Sequence, residues 1–442
     1  MGAGKPAAGT AVHARTHAKP SRAAAQLPRP AARLDKAAAR RSTAIHPTGN
    51  RQRLVSGAAV PRSAGPASPA DKRASAEARL LEIYRLIGAA RSREALDKAA
   101  ALVADVPNFQ LAQLTYADLL TARTSALPNF GAVPNPQQLQ EMQSTRLTQL
   151  REEAAQRLHA LRERPPAGAI PRQFIELPRS TQHAIAVDAS RSRLYLFENQ
   201  PDGPRLIADH YVSLGRLGVD KTIVGDQRTP LGVYFITNRL DGRQLADFYG
   251  TGALPLNYPN EYDRRLGKTG SGIWLHGVPT ESYARSPRST DGCVVLSNED
   301  LNAVIGLVKP RTTPVLIAQK IDWVQQRDIA SQRTSLRNVI EGWRSARIVG
   351  DVQRTLSFYA SLNPANPQDL SERKQQVERD IGSLRGRRTN IKDLSILTWN
   401  DKTPLMVVTF GEVIEGERTG PVKRQYWSQE SGMWKIFYEG VI

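Results

Sequence analysis

Two short apolar stretches, Gly272-Ile273-Trp274-Leu275-His276-Gly277 and Thr290-Asp291-Gly292-Cys293-Val294-Val295-Leu296, carry the most informative residues of the chain. Cys293 is the single cysteine among 442 residues and follows His276 by 17 positions. A lone cysteine closes no disulfide within its own chain and is a poor start for a metal site, so it is either a buried apolar residue or a nucleophile. A histidine that ends one predicted strand, and a glycine-cysteine pair that opens the next, favour the nucleophile.

The chemistry of the pair supports this interpretation. A free thiol has a pKa of about 8.5, and a neighbouring imidazole can accept its proton to leave a thiolate beside an imidazolium. Gly277 would let a main-chain carbonyl meet the second nitrogen of His276 and define its tautomer. Gly292 would turn the chain sharply, and the amides of residues 291–293 are candidates to stabilise an oxyanion.

These residues resemble the signature of the YkuD family of peptidoglycan L,D-transpeptidases, a His-Gly pair followed by Ser/Thr-x-Gly-Cys. The segment 212–234, with Gly-Asp-Gln-Arg-Thr-Pro at 225–230, is similar to a second block of that family. The stretch 257–272 lies where related enzymes approach the His-Gly strand. The resemblance covers about 180–320 and implies a β-rich catalytic domain that needs no cofactor and no metal.

The resemblance also implies a reaction and a set of site residues. Cys293 would attack the carbonyl of the third residue of a tetrapeptide stem, and His276 would protonate the leaving D-alanine. An amine acceptor would then give a 3-3 cross-link, whereas water would give a tripeptide, and the motif leaves both outcomes open. Many members carry histidine at the position of Asp291 and arginine at that of Val295. Beside Cys293, His276 and Gly277, the candidates for oxyanion or substrate binding are Thr290, Asp291, Gly292, Tyr258, Lys221, Lys268 and Arg285.

The remaining sequence predicts a multidomain α+β chain. Residues 1–72 contain 13 Lys and Arg against 2 Asp and Glu, a net +11 of the +19 carried by the whole chain, and few large apolar side chains. Such a segment is expected to be a disordered basic tail. Helical periodicity predicts a helical region over 73–165, including one long helix over about 137–163. The catalytic domain is expected over 175–322. Helices followed by antiparallel strands over 328–442 resemble a cone-like nuclear-transport-factor-2-like domain, and the three parts together resemble cell-shape L,D-carboxypeptidases.

The expected partners follow from this organisation. Peptidoglycan stem peptides would be the substrate, the N-terminal helices could form a homodimer, and neither a nucleic-acid fold nor a transmembrane segment is recognised. No secretory apolar core is found near the start, so a periplasmic or cell-envelope location is inferred from the family alone. Two other classes stay open: a wall-binding scaffold without catalysis, and a basic polyanion binder.

Overall fold

The computed structural model describes residues 75–132, 141–360, 367–384 and 386–442. The predicted basic tail, residues 1–72, lies outside these ranges. The described helices are α1 (Ala76–Gly88), α2 (Ser92–Asp105), α3 (Gln110–Thr121), α4 (Glu141–Arg162), α5 (Glu261–Arg265), α6 (Asn298–Leu307), α7 (Ala330–Ile348), α8 (Val352–Leu356) and α9 (Pro367–Leu384). Among these residues, no helix has the length and apolar character that a membrane crossing requires.

The strands of the catalytic region are mostly short. They are β1 (Ile170–Pro171), β2 (Phe174–Glu176), β3 (His183–Asp188), β4 (Arg193–Gln200), β5 (Gly203–Tyr211), β6 (Leu214–Gly215), β7 (Gly232–Phe235), β8 (Leu240–Asp241), β9 (Gly252–Pro255), β10 (Trp274–His276), β11 (Arg288–Thr290), β12 (Val294–Val295), β13 (Pro314–Ala318) and β14 (Trp323–Val324). Four longer strands follow: β15 (Thr389–Asn400), β16 (Pro404–Ile414), β17 (Val422–Glu430) and β18 (Met433–Val441).

Helices α1 to α4 enclose one apolar core. Leu80 and Ile83 of α1 have no exposed surface, and they pack in the same cluster as Leu150 and Ala154 of α4. The apolar positions of the predicted long helix are therefore packed inside the chain, because an amphipathic helix gains most of its stability by burying its apolar face. These positions lend no support to the homodimer, which stays a prediction.

The central sheet has the strand order β5-β4-β3-β13-β7, and its strands β3, β13 and β7 are buried on both faces. Side chains alternate along a strand, so Ala184 and Ala186 of β3 enter one core while Ile185 and Val187 enter another. The second core is closed by helix α6 and by a four-stranded sheet of order β12-β10-β9-β8. That smaller sheet supports both His276 and Cys293.

The other face of the central sheet packs on the C-terminal part of the chain. There, a sheet of order β18-β17-β16-β15-β2 encloses Trp343 and Trp427, which are fully buried in one core with Ala184 and Ala186. Strand β2 precedes the catalytic sheet in sequence yet pairs with β15, with Phe174 opposite Leu397. The apolar core is therefore continuous between the catalytic part and the C-terminal part.

Candidate active site

Strands β10 and β12 place the two reactive side chains on one face of their sheet. The strands are parallel, with Leu275 opposite Val294, and both of these side chains are fully buried in the core beneath. Because side chains alternate along a strand, His276 and Cys293 lie on the opposite face. Cys293 immediately precedes β12, so the two residues are diagonal neighbours on adjacent strands, the relation in which side chains of this size can interact.

A tight turn holds Cys293 at the start of β12. The hydroxyl of Thr290 donates to the carbonyl of Cys293 at 2.8 Å and accepts from the amide of Gly292 at 3.1 Å. Gly292 has φ +123°, and a Cβ there would lie 2.6 Å from the carbonyl oxygen of Arg228. The amide of Gly292 was expected among the oxyanion donors, but Thr290 already occupies it. The amides of Asp291 and Cys293 remain the candidates.

The imidazole of His276 is oriented by the main chain. Its Nδ1 lies 2.7 Å from the carbonyl oxygen of Gly277, which is the contact expected from the sequence. A carbonyl only accepts, so Nδ1 carries the proton and the neutral ring presents Nε2 as an acceptor. The rings of Tyr249 and Phe248 lie 5.1 and 5.8 Å from the imidazole, and His276 is only 1% exposed. This burial lowers the pKa of His276 to about 4.

Gly277 is needed because another side chain passes very close to it. A Cβ at this position would lie 2.1 Å from Oδ1 of Asn298. That oxygen accepts from the amides of Thr251 and Val278 at 3.1 and 3.3 Å, while the amide nitrogen of Asn298 donates to Val278 O at 2.8 Å. Asn298 therefore fastens the chain beyond His276. Asn298 could not be predicted as part of the site, because nothing in the sequence marks it apart from its place after the N-cap Ser297.

The thiol of Cys293 is partly exposed, and its environment favours the protonated form. Burial by the surrounding protein raises the pKa of this thiol, a hydrogen bond from the amide of Trp274 lowers it, and the carboxylate of Asp291 raises it. The charges of Arg285 and Lys221 lower it. The resting thiol is therefore protonated, and its sulfur donates to the carbonyl oxygen of Gly272 at 3.4 Å. The imidazole of His276 is neutral too, so the thiolate-imidazolium pair considered from the sequence is not the resting state.

Arg285 is the charged side chain best placed to meet a substrate. Its guanidinium lies 4.2 Å from the ring centroid of Phe248 and donates to the carbonyl of Phe248 at 3.3 Å. Its charge lowers the pKa values of both His276 and Cys293, so it faces both reactive groups. No described carboxylate forms an ion pair with it. A half-buried guanidinium that lacks an internal anion is suited to bind a substrate carboxylate.

Lys221 and Lys268 have internal partners instead. The ammonium of Lys221 is 2.8 Å from Asp226 and 3.0 Å from the carbonyl of Ile223, and the residue is 3% exposed. Lys268 lies 3.5 Å from Asp220 and 3.7 Å from Asp263. The structure thus assigns both lysines to the framework of the loops beside the cleft. Their burial was not foreseen, because the pairing depends on how those loops fold back.

The two remaining candidates occupy different environments. Tyr258 is 5% exposed, packs in the core against Tyr234 and donates to the carbonyl of Thr269 at 3.1 Å, so it is not available to a substrate. Asp291 is exposed and accepts from the side-chain amide of Gln227 at 3.1 Å. Its carboxylate raises the pKa of the Cys293 thiol, and it contacts no imidazole among the described residues.

No cluster suitable for a metal ion is found within the described ranges, where three or more His, Cys, Asp or Glu side chains nowhere converge. The chemistry that this arrangement offers is nucleophilic and acid-base: a thiol, an oriented proton acceptor, amides for an oxyanion and one free guanidinium.

Comparison with known proteins agrees with this geometry. Residues 182–317 match the family model described as YkuD, the L,D-transpeptidase catalytic domain. The solved structure of Bdellovibrio bacteriovorus Bd1075 is similar at 26% identity, over 62% of this chain and 98% of that chain, with a TM-score of 0.52. Pgp2, the helical cell shape determining protein from Campylobacter jejuni, is similar at 22% identity over 61% of this chain and 95% of that chain, with a TM-score of 0.49. No curated protein matches the chain.

Proposed function

We propose that this chain, in which residues 182–317 are a YkuD L,D-transpeptidase catalytic domain, uses Cys293 to transfer the acyl group of a peptidoglycan tetrapeptide stem. The observation that supports the proposal is the register of β10 and β12, in which His276 lies opposite Val295 and Cys293 is its diagonal neighbour on the adjacent strand. The tautomer of His276, defined by Gly277, supplies the proton acceptor that a neutral thiol requires.

The first half of the reaction forms a thioester. As the sulfur attacks the carbonyl carbon of the third stem residue, Nε2 of His276 takes the thiol proton and the amides near Cys293 stabilise the oxyanion. The carbon–nitrogen bond to the terminal D-alanine then breaks, and the imidazolium returns the proton to the departing amine. Arg285 would bind the carboxylate of that D-alanine, because its guanidinium forms no ion pair among the described residues and its charge acts on both His276 and Cys293.

The second half decides the product. An amine from a neighbouring stem would attack the thioester and lose a proton to His276, which returns it to the sulfur of Cys293 as the carbon–sulfur bond breaks. The product is a 3-3 cross-link, and this is the transpeptidase reaction. Water in the same position would release a tripeptide, which is the L,D-carboxypeptidase alternative. Both need the same acyl-enzyme. The substrate would place the enzyme in the periplasm or elsewhere in the cell envelope.

The test is digestion of purified sacculi with the full-length protein, followed by separation of the muropeptides. New 3-3 dimers would support transpeptidation, and conversion of tetrapeptides to tripeptides without dimers would support carboxypeptidation. Cys293→Ala and His276→Ala should abolish either change, whereas His159→Ala, which alters an exposed histidine of α4, should leave it intact. Unchanged muropeptides with the wild-type protein, together with sacculus binding that survives Cys293→Ala, would favour the scaffold alternative.

A further inference from the structure

The loop between the two motif halves, residues 277–288, is held by the N-terminal helical region. Tyr283 of this loop packs its ring 4.0 Å from that of Phe109, next to α3, and belongs to the core of the helices. The side-chain amide of Asn108 donates to the carbonyl of Thr280 at 3.2 Å. The loop that includes Arg285 is thus packed against helices that precede the catalytic domain in sequence.

A second connection runs through Tyr211, the last residue of β5. This side chain is 4% exposed, and its hydroxyl donates to the carbonyl oxygen of Arg285 at 2.9 Å. Ser213 donates to the same oxygen at 2.8 Å. The main chain of Ser213 also exchanges two hydrogen bonds with Val295, both 2.9 Å long, just beyond Cys293. These hydrogen bonds therefore fix the backbone of Arg285 relative to β12, the strand that directly follows Cys293.

Helix α4 contacts the ring of Tyr211 through Arg157. The guanidinium of Arg157, 1% exposed, lies 4.0 Å from the centroid of the Tyr211 ring. Arg157 is held by ion pairs to Glu77 of α1 and to Glu153, the latter at 2.7 Å. Glu77 also pairs with Arg193 of β4 at 2.7 Å, which ties this network to the central sheet. A buried network of ion pairs of this kind favours one arrangement of its members, since displacing one of them would separate a buried charge from its partner.

We propose that Tyr211 is a positioning residue for Arg285, and that the helical region acts through Tyr211 to set how the site recognises the carboxylate of its substrate. The inference rests on the proposed function, because it takes the terminal carboxylate of a stem peptide as the ligand of Arg285. The phenol holds the main chain of Arg285 so that its guanidinium stays over Phe248.

Tyr211→Phe removes the hydroxyl and keeps the ring on Arg157, so it tests the inference in the full-length protein. For a tetrapeptide with a free carboxylate we expect KM to rise about fivefold, the effect of losing one hydrogen bond, with kcat nearly unchanged. For the same peptide with a C-terminal amide KM should not change. The double variant Tyr211→Phe/Ser213→Ala leaves the carbonyl of Arg285 without either hydroxyl. It should raise KM for the free-carboxylate peptide further, again without changing KM for the amide.

Tyr234→Phe is the matched control, because Tyr234 is also buried and its hydroxyl donates to a carbonyl, that of Leu231 at 3.0 Å. Tyr234→Phe should lower the free energy of unfolding about as much as Tyr211→Phe does, without changing the ratio of KM values for the acid and the amide. Equal changes of KM for acid and amide in Tyr211→Phe, or the same change in Tyr234→Phe, would overturn the inference.

A second measurement separates this inference from the proposed function. The rate at which phenylglyoxal modifies Arg285, followed by peptide mass mapping, needs no turnover. Tyr211→Phe should raise that rate about threefold, and Tyr234→Phe should leave it unchanged. An unaltered rate in Tyr211→Phe contradicts the positioning role. Absence of any reaction by the wild-type protein on stem peptides would contradict the proposed function, and the labelling of Arg285 would still decide whether Tyr211 holds it.

Discussion

The thiol of Cys293 and the imidazole of His276 are both kept neutral, chiefly by burial. A cysteine that stays protonated until a substrate enters the cleft reacts slowly with adventitious electrophiles, because the thiolate is the nucleophile. The proton would pass to His276 as the carbon–sulfur bond forms. The charge of Arg285 has opposite effects on the two sides of this transfer, since a nearby positive charge favours the thiolate and disfavours the imidazolium.

The pH dependence of the reaction should reflect the buried imidazole. Protonated His276 cannot accept the thiol proton, so kcat/KM should rise with pH through about 4 and be level between about 6 and 8. Tyr249→Ala uncovers the ring and should move this acid limb toward the ordinary histidine pKa of about 6.5. A wild-type limb already near 6.5, unaltered by Tyr249→Ala, would contradict this description of the site.

The charges beside the sulfur should shift its pKa in opposite directions. Asp291→Asn removes a carboxylate that raises the pKa of the Cys293 thiol, so this pKa should fall. Arg285→Met removes a charge that lowers it, so the pKa should rise. Arg288→Met, at an exposed position on the same loop, is the control and should have little effect. The pH dependence of iodoacetamide alkylation measures all three, and shifts of the same sign in the first two variants would refute the assignment.

At the scale of elements, short strands and tight turns present the site. His276 is the last residue of the three-residue β10, and the chain beyond it is held by Asn298 at the start of α6. Gly277 permits this contact, because any Cβ would overlap the amide oxygen of Asn298. The position of the imidazole thus depends on a glycine and on an asparagine 22 residues beyond His276 in sequence.

Substitution of Gly277 by alanine should therefore push Asn298 away from the main chain that follows His276. We expect Gly277→Ala to lower the free energy of unfolding by roughly 1–3 kcal/mol, the usual cost of overpacking, and to impair acylation of Cys293. Gly306→Ala in helix α6 is the matched control, since a Cβ there meets nothing within 4 Å. It should raise stability by about 0.5–1 kcal/mol. Chemical denaturation measures the free energy of unfolding of both variants, and acylation rates measure their reactivity. Equal stability of the two would show that Asn298 moves aside without destabilising the protein.

The sequence predicted some of these elements and could not predict others, for physical reasons. The strands that end at His276 and follow Cys293 are apolar runs bounded by glycine, and each is a local signal. The cation-π contact between Arg285 and Phe248 joins residues 37 positions apart across two irregular loops, which no periodicity reports. The strand Phe174–Glu176 is too short to predict alone, because its pairing with β15 comes from tertiary structure.

At the scale of the whole molecule, one apolar core joins the catalytic sheet to the C-terminal sheet. Ala184 and Ala186 of the former share this core with Trp343 and Trp427 of the latter. The small alanine side chains let the neighbouring layer approach closely. The boundaries predicted at 322 and 328 stay predictions of where each part lies in sequence, and the packing indicates that the two parts depend on each other for stability.

Loss of one large side chain from this core should weaken both parts together. Trp427→Ala is expected to lower the free energy of unfolding by about 3–5 kcal/mol, because Trp427 is fully buried. Thermal inactivation of catalysis and loss of the near-ultraviolet circular dichroism should shift downward in parallel. Trp434→Ala, at a partly exposed tryptophan of β18, should lower the free energy of unfolding by less. Two separate transitions, with inactivation unaffected by Trp427→Ala, would mean that the catalytic part is stable by itself.

The measurement that tests the account most directly is the intact mass of the full-length protein after mixing with a stem tetrapeptide. We expect a covalent adduct whose added mass equals the mass of the tetrapeptide minus the mass of free D-alanine, located on Cys293 by peptide mapping, with free D-alanine in solution. We expect no adduct with Cys293→Ala. Release of D-alanine that persists in Cys293→Ala, or an adduct on another residue, would contradict it.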